Sequence, residues 1–340
     1  MSEQPCDRSP SVALLGILVI LIGFGPGSAL GQVNNDALQE TISGPADDAP
    51  ALDSEEMSEP EPESEPEPEG PSPPSAQQQP RRRILKRVGP QRMTAEQREE
   101  AERLRKVAAK YGTDPTAIVG RVQLTGQYLE LHPHANASVA TARVDLPFRG
   151  NFLLRTEMPF LRTADAQNAG MGSQRGLSDL AVTAGWRAYN TPEYAILVGA
   201  IGTFPTASEP VLGFGKYTVG PAIATARFLP RLDSFLIGLL NYQTSVGGDP
   251  SRKDISLFNI TTQINSFWGQ RWWTVLQSVW RVDFERSAKS SMVMELEAGR
   301  NLIGRFGAYV RPGVGIYGRD VIGAYVWNVE VGVRYMFTSF

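Results

Sequence analysis

Tyr325-Val326-Trp327-Asn328-Val329-Glu330-Val331-Gly332-Val333-Arg334-Tyr335-Met336-Phe337 is the stretch that decides the fold. Tyr325, Trp327, Val329, Val331, Val333, Tyr335 and Phe337 fall on one face at a period of two. Asn328, Glu330, Gly332 and Arg334 fall on the other. That alternation belongs to a β-strand with one apolar and one polar face. Aromatic rings stand at both ends of the apolar stripe, where amphipathic rings settle at the two headgroup levels of a membrane. The pattern therefore predicts a strand crossing an outer membrane in contact with its lipid. An aromatic-ended last strand also suits the barrel-assembly machinery of such membranes as a partner. A half-buried strand of a soluble sandwich would show the same local pattern, so the rest of the chain has to decide.

Working back from there, the pattern recurs. Met292, Met294 and Leu296 oppose Glu295 and Glu297. Leu276, Trp280 and Val282 oppose Gln277, Arg281 and Asp283. Val310, Val314 and Ile316 oppose Tyr309 and Arg311. Leu180, Val182 and Trp186 oppose Asp179, Thr183 and Arg187, and Phe152, Leu154 and Met158 oppose Arg155 and Glu157. Ala142 and Val144 oppose Arg143 and Asp145. Connections alternate as well. Tight turns at Arg149-Gly150, Asn190-Thr191-Pro192, Leu229-Pro230-Arg231, Trp268-Gly269-Gln270 and Leu302-Ile303-Gly304 interleave with longer polar loops at Thr163–Arg175, Thr206–Lys216, Gly247–Lys253 and Glu285–Ser290. Short periplasmic turns and long outer loops are the habit of outer-membrane barrels, and a sandwich has no reason for it. The expectation is an all-β transmembrane barrel, antiparallel and up-and-down, of about twelve strands over residues 113–340, acting as a monomer.

Charges on one face of each strand need shelter. Facing lipid, an Arg near the midplane costs about 2–4 kcal/mol. Arg143, Asp145, Arg155, Glu157, Asp179, Arg187, Arg281, Asp283, Glu295, Glu297, Arg311, Glu330 and Arg334 are thus candidates to line a lumen. Their signs nearly balance, which argues against a single-sign ion filter and allows cross-strand pairing instead.

The front of the chain reads differently. Val12–Phe24 is an apolar run of thirteen residues, too short to span a bilayer comfortably, and Ala29-Leu30-Gly31 supplies a small-residue cleavage site. Residues 1–31 are expected to be a secretory signal, with an uncleaved anchor as the alternative. Residues 32–93 form an acidic Pro/Glu-rich spacer followed by a basic run, a composition that cannot build a core. Thr94-Ala95-Glu96-Gln97 is a capping box, and Ala101, Leu104, Ala108 and Tyr111 share a narrow apolar face, so residues 94–112 are expected to form a periplasmic helix docking weakly at the barrel base. Residues 32–112 are also where a periplasmic partner would act.

Gly176-Leu177-Ser178-Asp179-Leu180, then Ile201-Gly202-Thr203-Phe204-Pro205-Thr206, then Gly213-Phe214-Gly215, come in an order that resembles the outer-membrane family labelled meta-pathway of phenol degradation. Ala207 stands where that family has the glycine of Pro-Thr-Gly. The resemblance implies a barrel that passes small, often aromatic, solutes, and it implies no enzymatic activity.

Catalysis and cofactors find little support. The only histidines, His132 and His134, share one loop without cysteine or clustered carboxylate, so no metal site and no cofactor is expected. A hydrolase using that loop is the outlying alternative, and a barrel that only anchors the spacer and helix is the nearer one. The net charge of −3 and the short basic run carry no nucleic-acid footprint.

Overall fold

A computed structural model describes residues 93–131, 135–166 and 171–337. The signal and spacer expectations, and His132 and His134, lie outside those residues.

Among the described residues, thirteen strands build a closed antiparallel barrel with twelve positions. They are β1 (Gly120–Leu131), β2 (Ala135–Phe148), β3 (Phe152–Ala166), β4 (Met171–Gly176), β5 (Leu180–Asn190), β6 (Tyr194–Phe204) and β7 (Lys216–Leu229). The ring continues with β8 (Ser234–Gly248), β9 (Ser256–Trp268), β10 (Trp272–Asp283), β11 (Lys289–Ile303), β12 (Phe306–Tyr317) and β13 (Trp327–Phe337). β13 pairs with β1 from Gly120↔Phe337 to Glu130↔Trp327, and that ladder removes both sheet edges. β4 and β5 share one position. β4 pairs with the C-terminal part of β3 and β5 with the N-terminal part.

Two readings change here. Thr163–Arg175 is mostly a hairpin rather than a loop, since Thr163 and Ala164 pair with Arg175 and Gln174. β4, a run of six with Met171, two glycines and polar residues, carries no apolar stripe to give it away. Tyr325 is not the first residue of the last strand. It lies in the β12–β13 connection, 4% exposed, and its ring turns into the barrel.

The outward face is apolar. Leu124, Leu276, Leu296, Val310, Val329 and Val331 are all exposed along it. Phe148, Phe152, Trp186, Trp268, Trp272 and Tyr335 form a girdle at the end that carries the tight turns. Phe160, Phe204, Tyr217, Tyr317 and Trp327 form another at the opposite end. Two aromatic girdles flanking an aliphatic belt make the surface that a bilayer covers.

The helix α1 (Ala95–Tyr111) begins at the capping box. Gln97 N–H donates to Thr94 Oγ1 at 3.2 Å, and Thr94 N–H donates to Gln97 Oε1 at 3.0 Å. It ends at Gly112, which takes a left-handed φ of 65° and lies against Met336 of β13.

Candidate functional site

α1 sits in the mouth of the barrel at the tight-turn end. Its buried stripe of Ala101, Leu104 and Ala108 clusters with Ala195, Ala226, Phe228, Phe235 and Ile237, inward residues of β6, β7 and β8. Phe228 and Phe235 stack at 5.1 Å and so give Leu104 a flat apolar seat. Polar contacts fix the rim. Arg103 pairs with Asp233 at 2.9 Å, and Arg105 donates to Thr191 O at 2.7 Å and to Asn190. Tyr111 stacks on Trp273 at 5.4 Å and donates to Gln270 O. The helix is thereby tied to the turns that follow β5, β7 and β9. Past it, Asp114 is buried and accepts from Thr116 N–H at 2.8 Å and Thr116 Oγ1 at 2.6 Å. Burial pushes its carboxyl above the usual carboxylate range, against those hydrogen bonds and the pull of Arg105.

Above α1 the inner face is charged and falls into two clusters. On the β1–β3 wall, Asp145 is met by Arg143 Nη2 at 2.9 Å, Arg155 Nε at 3.0 Å and Arg121 Nε at 3.4 Å. Glu157 lies 3.6 Å from Arg143. Three guanidiniums against two carboxylates leave this wall net positive. On the β11–β13 wall, Glu297 binds Arg311 and Arg334 and accepts from Trp273 Nε1 at 2.5 Å. Arg311 also approaches Glu330 at 3.4 Å and Glu295 at 3.9 Å. Three carboxylates against two guanidiniums leave that wall net negative. A polar cavity of about 110 Å³ lies between the walls, bordered by Arg121, Arg143, Arg155, Glu297, Glu330 and Arg334. At roughly 10–15 Å³ for each water, that is room for a handful of waters.

The opposite end is covered by connections that fold inward. Val321 and Ile322 of the β12–β13 connection pack with Ile255 and Leu257. Tyr325 donates to Glu295 Oε1 at 2.7 Å and packs beside Leu129, Leu131, Val139, Val279 and Val293. Leu212, in the β6–β7 connection, is fully buried, and its carbonyl accepts from Arg162 at 2.8 Å.

Nine of the thirteen charged residues singled out from the alternation fall in the two clusters: Arg143, Asp145, Arg155 and Glu157, and Glu295, Glu297, Arg311, Glu330 and Arg334. The other four do not. Asp179 lies between β4 and β5 and accepts from the backbone N–H of Phe214 at 2.6 Å and of Ala207 at 3.2 Å, so it pins the β6–β7 connection. Asp283 ends β10 and accepts from Arg286 Nη1 at 2.7 Å and Glu285 N at 3.1 Å, so it caps a turn at the end away from α1. Arg187 donates to Gly150 O at 3.0 Å on the rim beside α1. Arg281 makes no ion pair with either cluster and is buried above the cavity, where Glu295 and Tyr325 act on it electrostatically. Arg121, Trp273, Tyr309 and Tyr325 belong to the interior and were not singled out. Arg121 shares the inward parity of Gln123 and Gln127, so it was within reach of the same pattern. Among the described residues no three of His, Cys, Asp and Glu are arranged to hold a metal.

No protein-family model matches the chain, and no curated protein matches it in sequence. Solved structures do match. The COG4313 outer membrane channel from Pseudomonas putida F1 superposes with a TM-score of 0.51 at 10% identity, covering 65% of this chain and 96% of that one. A NanC porin gives 0.46 at 11% identity, covering 63% and 98%. A KdgM porin in complex with oligogalacturonate gives 0.42 at 10% identity, covering 64% and 99%. This chain has the fold of an outer-membrane β-barrel. At such identities the likeness carries the fold and no solute.

Proposed function

We propose that the chain is a gated outer-membrane channel for small solutes, held shut in this conformation by α1 at one end and the β12–β13 connection at the other. The spacer before α1 would then lie in the periplasm. The observation that carries the reading is the pair of oppositely biased walls around a polar cavity, all of it on the inward face. A barrel with scaffolding as its only duty gains little from so much buried charge. Desolvating an ion pair costs about as much as the pairing returns, and apolar packing of the same volume is often as stable. Aromatic or hydrophobic solutes are the finer expectation, and it rests on the family resemblance alone.

The seating of α1 favours a second reading, a barrel that anchors a periplasmic tether. Its helix is bonded to three turns and to the last strand, which is more than a loose cover needs. Uptake by proteoliposomes separates the two. The channel reading expects passage of a small neutral solute such as glycerol through the full chain, increased when Leu104→Asp unseats α1. No passage in either protein, with the barrel folded, overturns it and leaves the anchor.

A further inference from the structure

Above the cavity the interior changes character. Arg281 of β10 is 6% exposed, and its Nε and Nη1 meet no hydrogen-bond partner. The register sets Asn259 of β9 on one side of it and Ser291 of β11 on the other. Thr261 follows two residues along β9. Asn259 is 5% exposed and Thr261 and Ser291 are 0% exposed, and Asn259 Oδ1, Thr261 Oγ1 and Ser291 Oγ are also without partners. Asn259 Nδ2 is already committed to Asn241 Oδ1 at 2.8 Å. Buried polar groups are normally satisfied, so four unanswered neighbours on one patch of wall mark a place where something polar belongs.

The setting says what kind of group. Glu295, the nearest acid, is occupied by Gln277 at 2.9 Å, Tyr325 at 2.7 Å and Asn328 at 3.2 Å. Free N–H groups of a guanidinium and two hydroxyls can all donate, which suits an anion and repels a cation. Around them the surface is hydrocarbon. Val279, two residues before Arg281 on β10, pairs with Val293 of β11, and the two cluster with Leu129, Leu131 and Val139 of β1 and β2. The ring of Tyr325 belongs to that cluster, so the space takes a six-membered ring.

We propose that Arg281, Ser291 and Thr261 form a carboxylate subsite in the outer half of the lumen. It takes an amphipathic monocarboxylate whose apolar body lies against Leu129, Leu131 and Val139 where the Tyr325 ring now sits. Asn259 Oδ1 accepts and cannot serve the anion itself, and it is left for a water at the rim of the site. An inorganic anion would satisfy the donors and waste the hydrocarbon. A neutral sugar would bring hydroxyls for the donors but neither the charge nor the apolar body. This proposal rests on the channel reading and adds a substrate class to it.

The test is calorimetric titration of the full-length protein in detergent with cyclohexanecarboxylate and with its neutral counterpart cyclohexanemethanol. The carboxylate is expected to bind at least tenfold more tightly than the alcohol. Arg281→Gln is expected to cost at least tenfold for the carboxylate and to leave the alcohol unchanged. Tyr325→Ala removes the occupant and is expected to raise carboxylate affinity several-fold. Equal binding of acid and alcohol overturns the proposal, and so does carboxylate affinity unchanged in both variants. Should Arg281→Gln fail to fold, Ser291→Ala and Arg281→Lys take its place, with a few-fold loss expected in each and unchanged affinity in both counting against the site. Glycerol uptake measured alongside keeps the two ideas separable. Glycerol passing without selective carboxylate binding sinks the subsite and spares the channel. Selective binding with no uptake does the opposite.

Discussion

Arg334 of the last strand donates through Nη1 to the carbonyl of Gly112 at 3.1 Å, so the barrel wall holds the C-terminal cap of the helix in its mouth. The same guanidinium binds Glu297 and lies 4.5 Å from the ring centroid of Trp273 and 4.8 Å from that of Tyr309. The β11–β13 charge cluster and the seat of α1 therefore share one side chain. Arg334→Gln removes a buried partner from Glu297 and the clamp from Gly112 together. Breaking a buried pair in this way costs about 3–5 kcal/mol. The expected outcome is a lower urea midpoint for the folded barrel, together with faster tryptic cleavage within α1. Arg334→Lys keeps the charge and loses the fork, and it should fall between.

Leu104 is the one large aliphatic side chain in the buried stripe of α1, 2% exposed against Phe228 and Phe235. Leu104→Ala should weaken the seat by about 2–5 kcal/mol, the usual cost of emptying a buried leucine site. The barrel closes through β1 and β13 without help from the helix, so its heat-modifiable migration should persist. Hydrogen exchange should show α1 losing protection while the strands keep theirs. Equal loss in both would mean that the helix is part of the fold and not a cover on it.

How much of this could be read from residues alone depends on what alternation can report. It shows which face a strand residue takes, and so the outward Trp280 and Trp327 and the inward Glu297 and Arg334 were legible. It is silent on which neighbours pair, because pairing depends on register. That is why the sharing of Asp145 by three arginines was hidden, although Arg121 has the right parity. Connections obey no period at all. Asp179 and Asp283 look like strand residues in sequence and act as staples for turns. Tyr325 extends the alternation of β13 by one step, yet it belongs to a segment that folds inward and ends on Glu295. Adjacent Trp272 and Trp273 point to opposite faces, 50% and 1% exposed, and a run of two aromatics cannot say which is which.

Asp114 gives the helix link a pH dependence. Burial raises its carboxyl in the folded protein, while in the unfolded chain it titrates near the ordinary value of about 3.9. Between those two values the folded state holds the extra proton, so stability falls as pH rises, and it falls no further above the folded value. Asp114→Asn keeps the acceptor for Thr116 and abolishes the titration. The difference in α1 protection between wild type and Asp114→Asn should be small below the ordinary value and should grow, in favour of the variant, as pH rises through the window. A constant difference across that range would remove Asp114 as the source.

Val331 and Gln127 test the two faces side by side. Both belong to the β1–β13 ladder, where Gln127 pairs with Glu330 and Val331 pairs with Gly126. Val331 is 54% exposed on the outward face, and Gln127 borders the interior cavity. Val331→Arg places a cation in the aliphatic belt, and folding into lipid vesicles should weaken by about 2–4 kcal/mol. Gln127→Lys places a similar charge one strand away, on β1 directly opposite Glu330 of the net-negative β11–β13 wall. A cross-strand pair of opposite charges contributes about 0.2–1 kcal/mol, so this variant should fold as well as the parent or slightly better. Urea titration of each protein refolded into vesicles gives both numbers. Two variants with equal penalties would mean that the outward face does not meet hydrocarbon, and the membrane-spanning reading would go with it.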